Sequence, residues 1–234
     1  MSGKQLTNFA IACTRSSFWT DIKSHKLLNQ DFRKILRPED LTPEALGSWD
    51  LDYIFFPYWN SKISSEVFDK WPCYVFHVAP LPYGRGGSPV QNLIRQGFKS
   101  APLNAIRVNE ELDAGPVLMS SEISLEGAAS DIFSRVSLEI ANQILSIISE
   151  SPREIEQSGE PTIFKRIRPA DNEIKTGMSL EEIYDEIRMV DSPDYLPAFV
   201  RMGDVDIELY GAAMGEGQIS GSFRIRLART ERDR

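Results

Sequence analysis

Short apolar and aromatic runs alternate with polar segments rich in proline and glycine along the first half of the chain. Runs of this length, bounded by turn residues, are typical of buried strands. They predict strands over residues 9–14, 32–36, 52–57, 73–78, 101–108 and 116–123. The pattern also predicts helices at 41–46 and 88–97, and apolar residues at every fourth position predict a long helix over 127–150. Alternating strands and helices favour an α/β fold with a mostly parallel sheet.

The pattern changes after the long helix. A polar segment over 153–161 predicts a linker, and residues 162–169 predict an exposed strand. Beyond them, Ser179 and Glu182 form a capping box that starts a short helix. Two or three further strands are predicted within 200–202, 206–211 and 219–227. We therefore divide the chain into a main domain, 1–165, and a small C-terminal α+β extension, 166–234.

Composition limits the classes of partner. The 234 residues carry a formal net charge of −8, which gives no electrostatic footprint for nucleic acid, so small molecules are the expected ligands. No stretch approaches the ~18 apolar residues of a membrane helix and no signal peptide is recognised, so we expect a cytoplasmic protein without a membrane partner.

Cys13 and Cys73 lie in apolar runs and are expected to be buried, reduced thiols. No G-x-G-x-x-G follows the first predicted strand, which argues against NAD.

The stretch from Cys73 to Gly97 carries the candidate chemistry. Residues 73–78 predict a buried strand in which His77 is the polar interruption. A loop of prolines and glycines follows, and Ser88 and Pro89 are the predicted N-cap and first residue of a helix. A histidine is thus placed at the carboxyl end of a strand, where α/β sheets bind ligands. Taken alone, such a histidine is more often a hydrogen-bonded core residue than a catalytic group.

Two motifs in this region carry a family resemblance. His77, Leu81-Pro82, Arg85-Gly86 and Pro89 resemble the signature H-x-x-x-L-P-x-x-R-G-x-x-P, and Leu112-Asp113-Ala114-Gly115 resembles the signature L-D-x-G. Both signatures are those of formyltransferases that use N10-formyltetrahydrofolate. The interval of 36 positions from His77 to Asp113 also matches that family. Two motifs at the right separation are far more specific than either motif alone.

The resemblance implies a Rossmann-like formyltransferase core that uses N10-formyltetrahydrofolate as co-substrate and no metal. His77 and Asp113 match the family's catalytic positions. Histidine suits proton exchange because its ordinary pKa of ~6.5 permits both states near neutral pH, and the aspartate would orient it or favour its cationic form. The loop after the third predicted strand would line the pterin pocket. The residues predicted to bind the folate are Phe56, Pro57, Tyr58, Trp59, Asn60, Ile63, Glu111 and Leu112.

One position departs from the family. Formyltransferases of this group usually carry asparagine two residues before the histidine, where its amide supports the transition state. Here that residue is Val75, whose side chain has no hydrogen-bonding group. We predict that another amide compensates, either Asn104 on the neighbouring strand or Asn60 in the pterin loop. A catalytically silent folate-binding relative is the alternative that Val75 leaves open.

The residues in and around the two motifs also indicate the class of molecule that accepts the formyl group. The loop and helix over 82–94, the L-D-A-G-P loop and the segment 187–199 are similar to bacterial enzymes that formylate a nucleotide-linked amino sugar, for example in a pathway to pseudaminic acid. The extension does not resemble the longer, basic tRNA-binding barrel of methionyl-tRNA formyltransferases. The predicted contacts to the substrate are Arg85, Gly86 and Lys165, with the cations facing phosphates. The amine of an amino acid or of hydroxyornithine, and attack by water on the folate, stay open as alternatives, as does a homodimer.

Overall fold

The computed structural model describes residues 7–228, which form eleven strands and six α-helices. The strands are β1 (Phe9–Ala12), β2 (Arg33–Ile35), β3 (Tyr53–Phe56), β4 (Cys73–Val78), β5 (Tyr83–Gly86), β6 (Ser100–Arg107), β7 (Val117–Ser124), β8 (Thr162–Phe164), β9 (Ala198–Met202), β10 (Val205–Gly215) and β11 (Gln218–Leu227). The helices are α1 (Ser16–Asp21), α2 (Pro43–Leu46), α3 (Ser65–Phe68), α4 (Pro89–Arg95), α5 (Ala129–Glu150) and α6 (Leu180–Arg188).

The chain folds into two compact units. One is built from residues up to 85, 102–123 and 134–162, and the other from 86–101, 124–133 and 163 onward. Each unit therefore combines segments that are distant in sequence. The domain boundary predicted between residues 165 and 166 stays a prediction.

A six-stranded sheet with the strand order β2-β1-β3-β4-β6-β7 is the centre of the first unit. β1 pairs in parallel with β2 and β3, and β3 pairs in parallel with β4. The pairing of β4 with β6 is antiparallel. The predicted α/β class with a mostly parallel sheet is confirmed.

The two faces of this sheet differ in character. One face carries a cluster of buried apolar side chains that includes Phe56 and Cys73, and Val75 packs against it. The other face is an array of aromatic rings from neighbouring strands. Because side chains alternate along a strand, His77 continues the face of Cys73 and Val75 at the carboxyl end of β4.

The register between β4 and β6 brings two polar residues together. His77 lies directly opposite Asn104, and Val75 lies opposite Ile106. Residues that are directly opposite in an antiparallel pair share a face of the sheet. The backbone pairing alone therefore places the Asn104 side chain on the face that carries His77.

The segment after β4 is more regular than the sequence predicts. Residues 80–87 were expected to form a loop, but β5 lies within them and pairs with β8. The amide of Gly87 donates to the carbonyl oxygen of Phe164 at 3.0 Å. Gly86 has a φ of +98°, and a Cβ added there would lie 2.7 Å from the Phe164 carbonyl oxygen. Only glycine permits this close pairing.

Ser88 does not act as a side-chain cap. The helix α4 begins at Pro89 as predicted, but Ser88 has a φ of +50° and its side chain makes no capping hydrogen bond. Instead its hydroxyl accepts a hydrogen bond from the amide of Ile167 at 3.1 Å. The predicted N-cap position of Ser88 is therefore confirmed, but its hydroxyl binds a partner distant in sequence and does not cap the helix.

The second unit contains the predicted capping box and a small sheet. The amide of Glu182 donates to the Ser179 hydroxyl at 3.2 Å, and the Ser179 amide donates to the Glu182 carboxylate at 2.7 Å. The helix α6 follows, and β9, β10 and β11 form an antiparallel sheet in the order β11-β10-β9. These elements agree with the predicted α+β extension.

A buried ion pair joins two helices of this second unit. Arg95 of α4 donates from Nη2 to Glu186 of α6 at 2.6 Å, and its Nε contacts the other carboxylate oxygen. The Glu186 side chain is only 6% exposed. Its charge is thus compensated mainly by the guanidinium of Arg95.

Candidate active site

His77 is held in one tautomer by the strand that follows it. The residue is 7% exposed, and its Nε2 lies 2.7 Å from the carbonyl oxygen of Gly84 in β5. A carbonyl oxygen only accepts hydrogen bonds, so Nε2 carries the proton and donates it. Nδ1 is therefore the basic nitrogen of the neutral ring.

The basic nitrogen of His77 faces Asp113. Nδ1 lies 3.5 Å from Oδ2 of Asp113, and the two side chains are 7% and 11% exposed. Asp113 belongs to the loop between β6 and β7 and has a φ of +53°. A left-handed conformation costs a residue other than glycine on the order of 1 kcal/mol and persists only where the surroundings hold it. The two predicted catalytic residues are thus in contact, although they are 36 positions apart.

The last glycine of the L-D-x-G motif allows the loop to close on β6. A Cβ added at Gly115 would lie 1.9 Å from the carbonyl oxygen of Arg107. The Arg107 amide also donates to the carbonyl oxygen of Pro116 at 2.9 Å. Since a side chain at Gly115 has no room, the motif fixes the path of the loop that carries Asp113.

Arg85 is buried, and each of its three guanidinium nitrogens donates a hydrogen bond. Its Nε and Nη2 donate to Oε1 of Gln157 at 3.1 and 2.9 Å, and its Nη1 donates to Glu111 at 3.0 Å. Gly86 contributes its backbone to β5, and Lys165 is exposed. The roles of Arg85, Gly86 and Lys165 in substrate binding stay predictions.

Asn104 lies opposite His77 but donates to the backbone. Its Nδ2 is 2.7 Å from the carbonyl oxygen of Ala79, with the carbonyls of Pro102 at 3.3 Å and His77 at 3.4 Å. The side chain is 4% exposed. Its amide thus secures the turn after β4, and its predicted part in the reaction stays a prediction.

Replacing Asn104 by alanine is expected to lower the free energy of unfolding by about 1–3 kcal/mol, because buried carbonyl groups lose their donor. Urea denaturation measures this change, and Asn60→Ala is the matched control because Asn60 is exposed. Turnover per folded molecule shows whether either amide compensates for Val75. Full turnover in both variants would contradict compensation.

The predicted folate residues are placed at different depths. Phe56 and Ile63 belong to the apolar cluster and Pro57 is also buried, whereas Asn60 is exposed. Leu112 is 70% exposed. The apolar members thus form a base for the loop after β3, and the exposed members are available to a ligand.

Tyr58 and Trp59 follow β3, and their side chains have different neighbours. Tyr58 has a φ of +49°, its hydroxyl lies 3.1 Å from the Ser137 hydroxyl of α5, and the Arg15 guanidinium lies 4.7 Å from the centre of its ring. The indole nitrogen of Trp59 is buried and has no hydrogen-bond partner within residues 7–228. The indole nitrogen of Trp19 shares this status, so Trp59 is not unique in it.

The cysteines do not contribute a nucleophile. Cys73 lies on the same face of β4 as His77, and burial raises the pKa of its thiol to about 12. Burial likewise raises the pKa of Cys13 to about 12. Both are free, buried thiols, as the sequence predicts. Neither is a thiolate near neutral pH.

The sequence predicts that the protein has neither a metal nor a membrane partner. Within residues 7–228, no group of three or more His, Cys, Asp and Glu side chains could hold a metal ion. None of the helices in this part of the chain is both long and apolar enough to cross a membrane. The absence of a metal and of a membrane partner stays a prediction.

Gln157 is part of the site but has no signal in the sequence. It lies in the segment predicted as a polar linker, where no periodicity distinguishes inward from outward side chains. Besides accepting from Arg85, it donates to the carbonyl oxygens of Asp113 and Gly115. Contacts between distant segments reveal it, and no local pattern does.

The chain combines a mostly parallel sheet with a paired histidine and aspartate, and comparisons identify the family. A family model described as "Methionyl-tRNA formyltransferase, C-terminal domain" matches residues 169–226. A solved structure of a methionyl-tRNA formyltransferase from Clostridium thermocellum is 36% identical, with a TM-score of 0.90 over 95% of this chain and 100% of that chain. The chain therefore belongs to the formyltransferase family.

Other relatives are more distant. A curated methionyl-tRNA formyltransferase from Campylobacter curvus is 25% identical over 214 residues, which is 88% of this chain and 70% of the relative. The chain spans between about half and 70% of the length of the curated relatives it matches. A sugar N-formyltransferase from Shewanella is 15% identical, with a TM-score of 0.62 over 97% of this chain and 100% of that chain, and this likeness concerns the fold alone.

The comparisons confirm part of the sequence-based interpretation and correct another part. The family, its class of enzyme and its folate co-substrate agree with the predictions from the two motifs. The C-terminal extension, however, was set apart from methionyl-tRNA formyltransferases, whereas residues 169–226 match a model of their C-terminal domain. Length and charge, on which that prediction relied, did not detect the relationship.

Proposed function

We propose that this protein moves a formyl group from N10-formyltetrahydrofolate to a primary amine, and that the acceptor is the amine of a nucleotide-linked amino sugar. The pair of His77 and Asp113 carries the proposal. Nδ1 of the histidine lies 3.5 Å from the carboxylate, and Nε2 is held by the Gly84 carbonyl. The ring thus presents one basic nitrogen beside one negative charge.

This pair suits the proton transfers of the reaction. The amine nitrogen bonds to the formyl carbon, the formyl oxygen becomes an oxyanion, and a proton must leave the amine. Nδ1 of His77 takes that proton because Nε2 is already protonated, and the Asp113 carboxylate stabilises the resulting imidazolium. When the bond from the formyl carbon to N10 breaks, the proton passes to N10. The histidine then returns to its starting state.

The loop after β3 carries a donor that a ligand could use. The buried N–H of Trp59 has no partner within residues 7–228. Leaving a buried donor unpaired costs about 1–3 kcal/mol, which an acceptor on the ligand would recover. We therefore place the pterin of the folate against this loop, as the motif resemblance implies.

Charge supports a small acceptor. Residues 169–226 carry twelve Asp and Glu residues but five Lys and Arg residues, and the whole chain has a net charge of −8. Proteins that bind nucleic acids neutralise many phosphates with clustered Lys and Arg. An acidic C-terminal segment disfavours a long polyanion, whereas a nucleotide-linked sugar presents only the phosphates of one nucleotide.

Methionyl-tRNA is the second candidate acceptor. It is favoured by the names of the relatives from Clostridium thermocellum and Campylobacter curvus and by the match of residues 169–226. Its amino group would be formylated by the same proton transfers. The two candidates therefore differ in what recognises the rest of the acceptor.

A panel of acceptors with N10-formyltetrahydrofolate as donor tests the proposal. We expect an N-formyl product with at least one nucleotide-linked 4-amino sugar and a smaller rate with the free sugar. Product with methionyl-tRNA or hydroxyornithine alone would contradict the sugar acceptor and preserve formyl transfer. Formate released without an acceptor would indicate a hydrolase. Folate binding without any reaction would indicate the silent relative that Val75 leaves open.

A further inference from the structure

Gln157 connects the two sequence motifs through its side chain. It lies between α5 and β8 and is partly buried. Its Oε1 accepts from Nε and Nη2 of Arg85. Its Nε2 donates to the carbonyl oxygen of Asp113 at 2.9 Å and to that of Gly115 at 2.8 Å. All four hydrogen bonds available to the amide are thus made within the site.

The contacts of Gln157 lie in the loop that places the Asp113 carboxylate beside His77. Asp113 faces Nδ1 of His77 at 3.5 Å. Its φ of +53° must be held by its surroundings. Gln157 binds the carbonyl groups on both sides of Ala114 and therefore fixes the orientation of the peptides around Asp113.

A second polar link from Arg85 to this loop is weaker. Arg85 also pairs with Glu111 at 3.0 Å, but the Glu111 side chain is 71% exposed. Exposed ion pairs contribute about 0–1 kcal/mol. Of these two links, Gln157 is thus the stronger polar anchor of the loop. Arg85 determines which end of the Gln157 amide faces the loop, because a guanidinium can only donate.

We propose that Gln157 is a positioning residue for the reaction. Through its hydrogen bonds to residues 113 and 115, it holds the Asp113 carboxylate against Nδ1 of His77. The proposal rests on the proposed formyl transfer. Gln157 itself touches none of the reacting atoms and acts through Asp113.

Two substitutions separate the two halves of the amide. Gln157→Glu keeps an acceptor for Arg85 but removes both donors, and its added oxygen faces the carbonyls of residues 113 and 115. Gln157→Leu removes donors and acceptor together.

We expect Gln157→Glu to lower kcat by about 10- to 100-fold, since small misplacements of catalytic groups have effects of this size. The KM for the folate should change less than kcat, because Gln157 binds the carbonyl groups of residues 113 and 115 and not Glu111 or Leu112, the predicted folate residues of this loop. The exposed neighbour Glu156, as Glu156→Gln, is the matched control and should leave kcat unchanged.

A double-mutant cycle tests whether Gln157 acts through Asp113. Residues that work as one unit show non-additive effects. In the Asp113→Asn background, which lacks the carboxylate charge, we expect Gln157→Glu to change kcat by less than about twofold. A second loss of 10-fold or more in that background would overturn the proposal.

The NMR signal of the His77 ring provides a readout that needs no turnover. The chain has two histidines, His77 and His25, so His77→Gln assigns the signal. We expect Gln157→Glu to shift the Nδ1 resonance of His77 and Glu156→Gln to leave it in place. An unshifted resonance in a folded Gln157→Glu variant would overturn the proposal. A shift in a protein that transfers no formyl group would preserve the positioning contact and contradict the proposed function alone.

Discussion

Replacing His77 by alanine is expected to lower kcat/KM for formyl transfer by about 10²- to 10⁴-fold, the usual contribution of a general acid–base residue. The variant lacks Nδ1, which faces Asp113 at 3.5 Å and would accept the amine proton. Steady-state kinetics with N10-formyltetrahydrofolate and the best acceptor from the panel measure the loss. Folate binding should persist, because the predicted pterin loop lies outside the substituted side chain.

The second histidine provides the control for this variant. His25 accepts a hydrogen bond from the amide of Leu27 and contacts Asn142 at 3.0 Å, and it lies in a different part of the first unit. His25→Ala should retain the turnover of the unsubstituted protein. Equal activity of His77→Ala and His25→Ala, both folded, would remove His77 from the mechanism.

Replacing Arg95 by methionine is expected to lower the free energy of unfolding by about 3 kcal/mol. Breaking a buried ion pair costs about 3–5 kcal/mol because one charge is left buried, and the lower value applies here because Arg95 is itself 28% exposed. The substitution leaves the Glu186 carboxylate, 6% exposed, without its guanidinium partner. Guanidinium chloride denaturation monitored by circular dichroism measures the change.

Two further variants test the cause of that loss. Arg153→Met removes an exposed arginine and should change the free energy of unfolding by less than about 0.5 kcal/mol. Adding Glu186→Leu to Arg95→Met should restore part of the lost stability, since no charge then remains buried. If the double variant is less stable than Arg95→Met, packing rather than the unpaired carboxylate causes the loss.

Elements defined by local sequence could be predicted, and elements defined by distant partners could not. The strand β4 is predicted with its observed bounds, 73–78, because its apolar run is bounded by turn residues. The strand β5 was missed because two glycines weaken its strand signal and its partner β8 is more than seventy residues away. The position of Ser88 before α4 could be predicted, but the partner of its hydroxyl, the Ile167 amide, could not.

The candidate site shows the same division. His77 and Asp113 could be paired from the sequence because the interval between two motifs identifies them together. The geometry of the pair could not be read, because it depends on the Gly84 carbonyl and on the left-handed backbone of Asp113. Gln157 was missed altogether, because a polar residue in an aperiodic segment shows no preference for the interior.

The burial of Cys13 and Cys73 has a practical consequence for labelling the protein. Burial raises the pKa of both thiols to about 12, so the thiolate with which thiol-directed dyes react is scarce at pH 7. A cysteine introduced at an exposed position would react far faster than either native thiol. Fluorescent or spin probes can therefore be attached at chosen positions while both native cysteines, and the apolar packing around them, are retained.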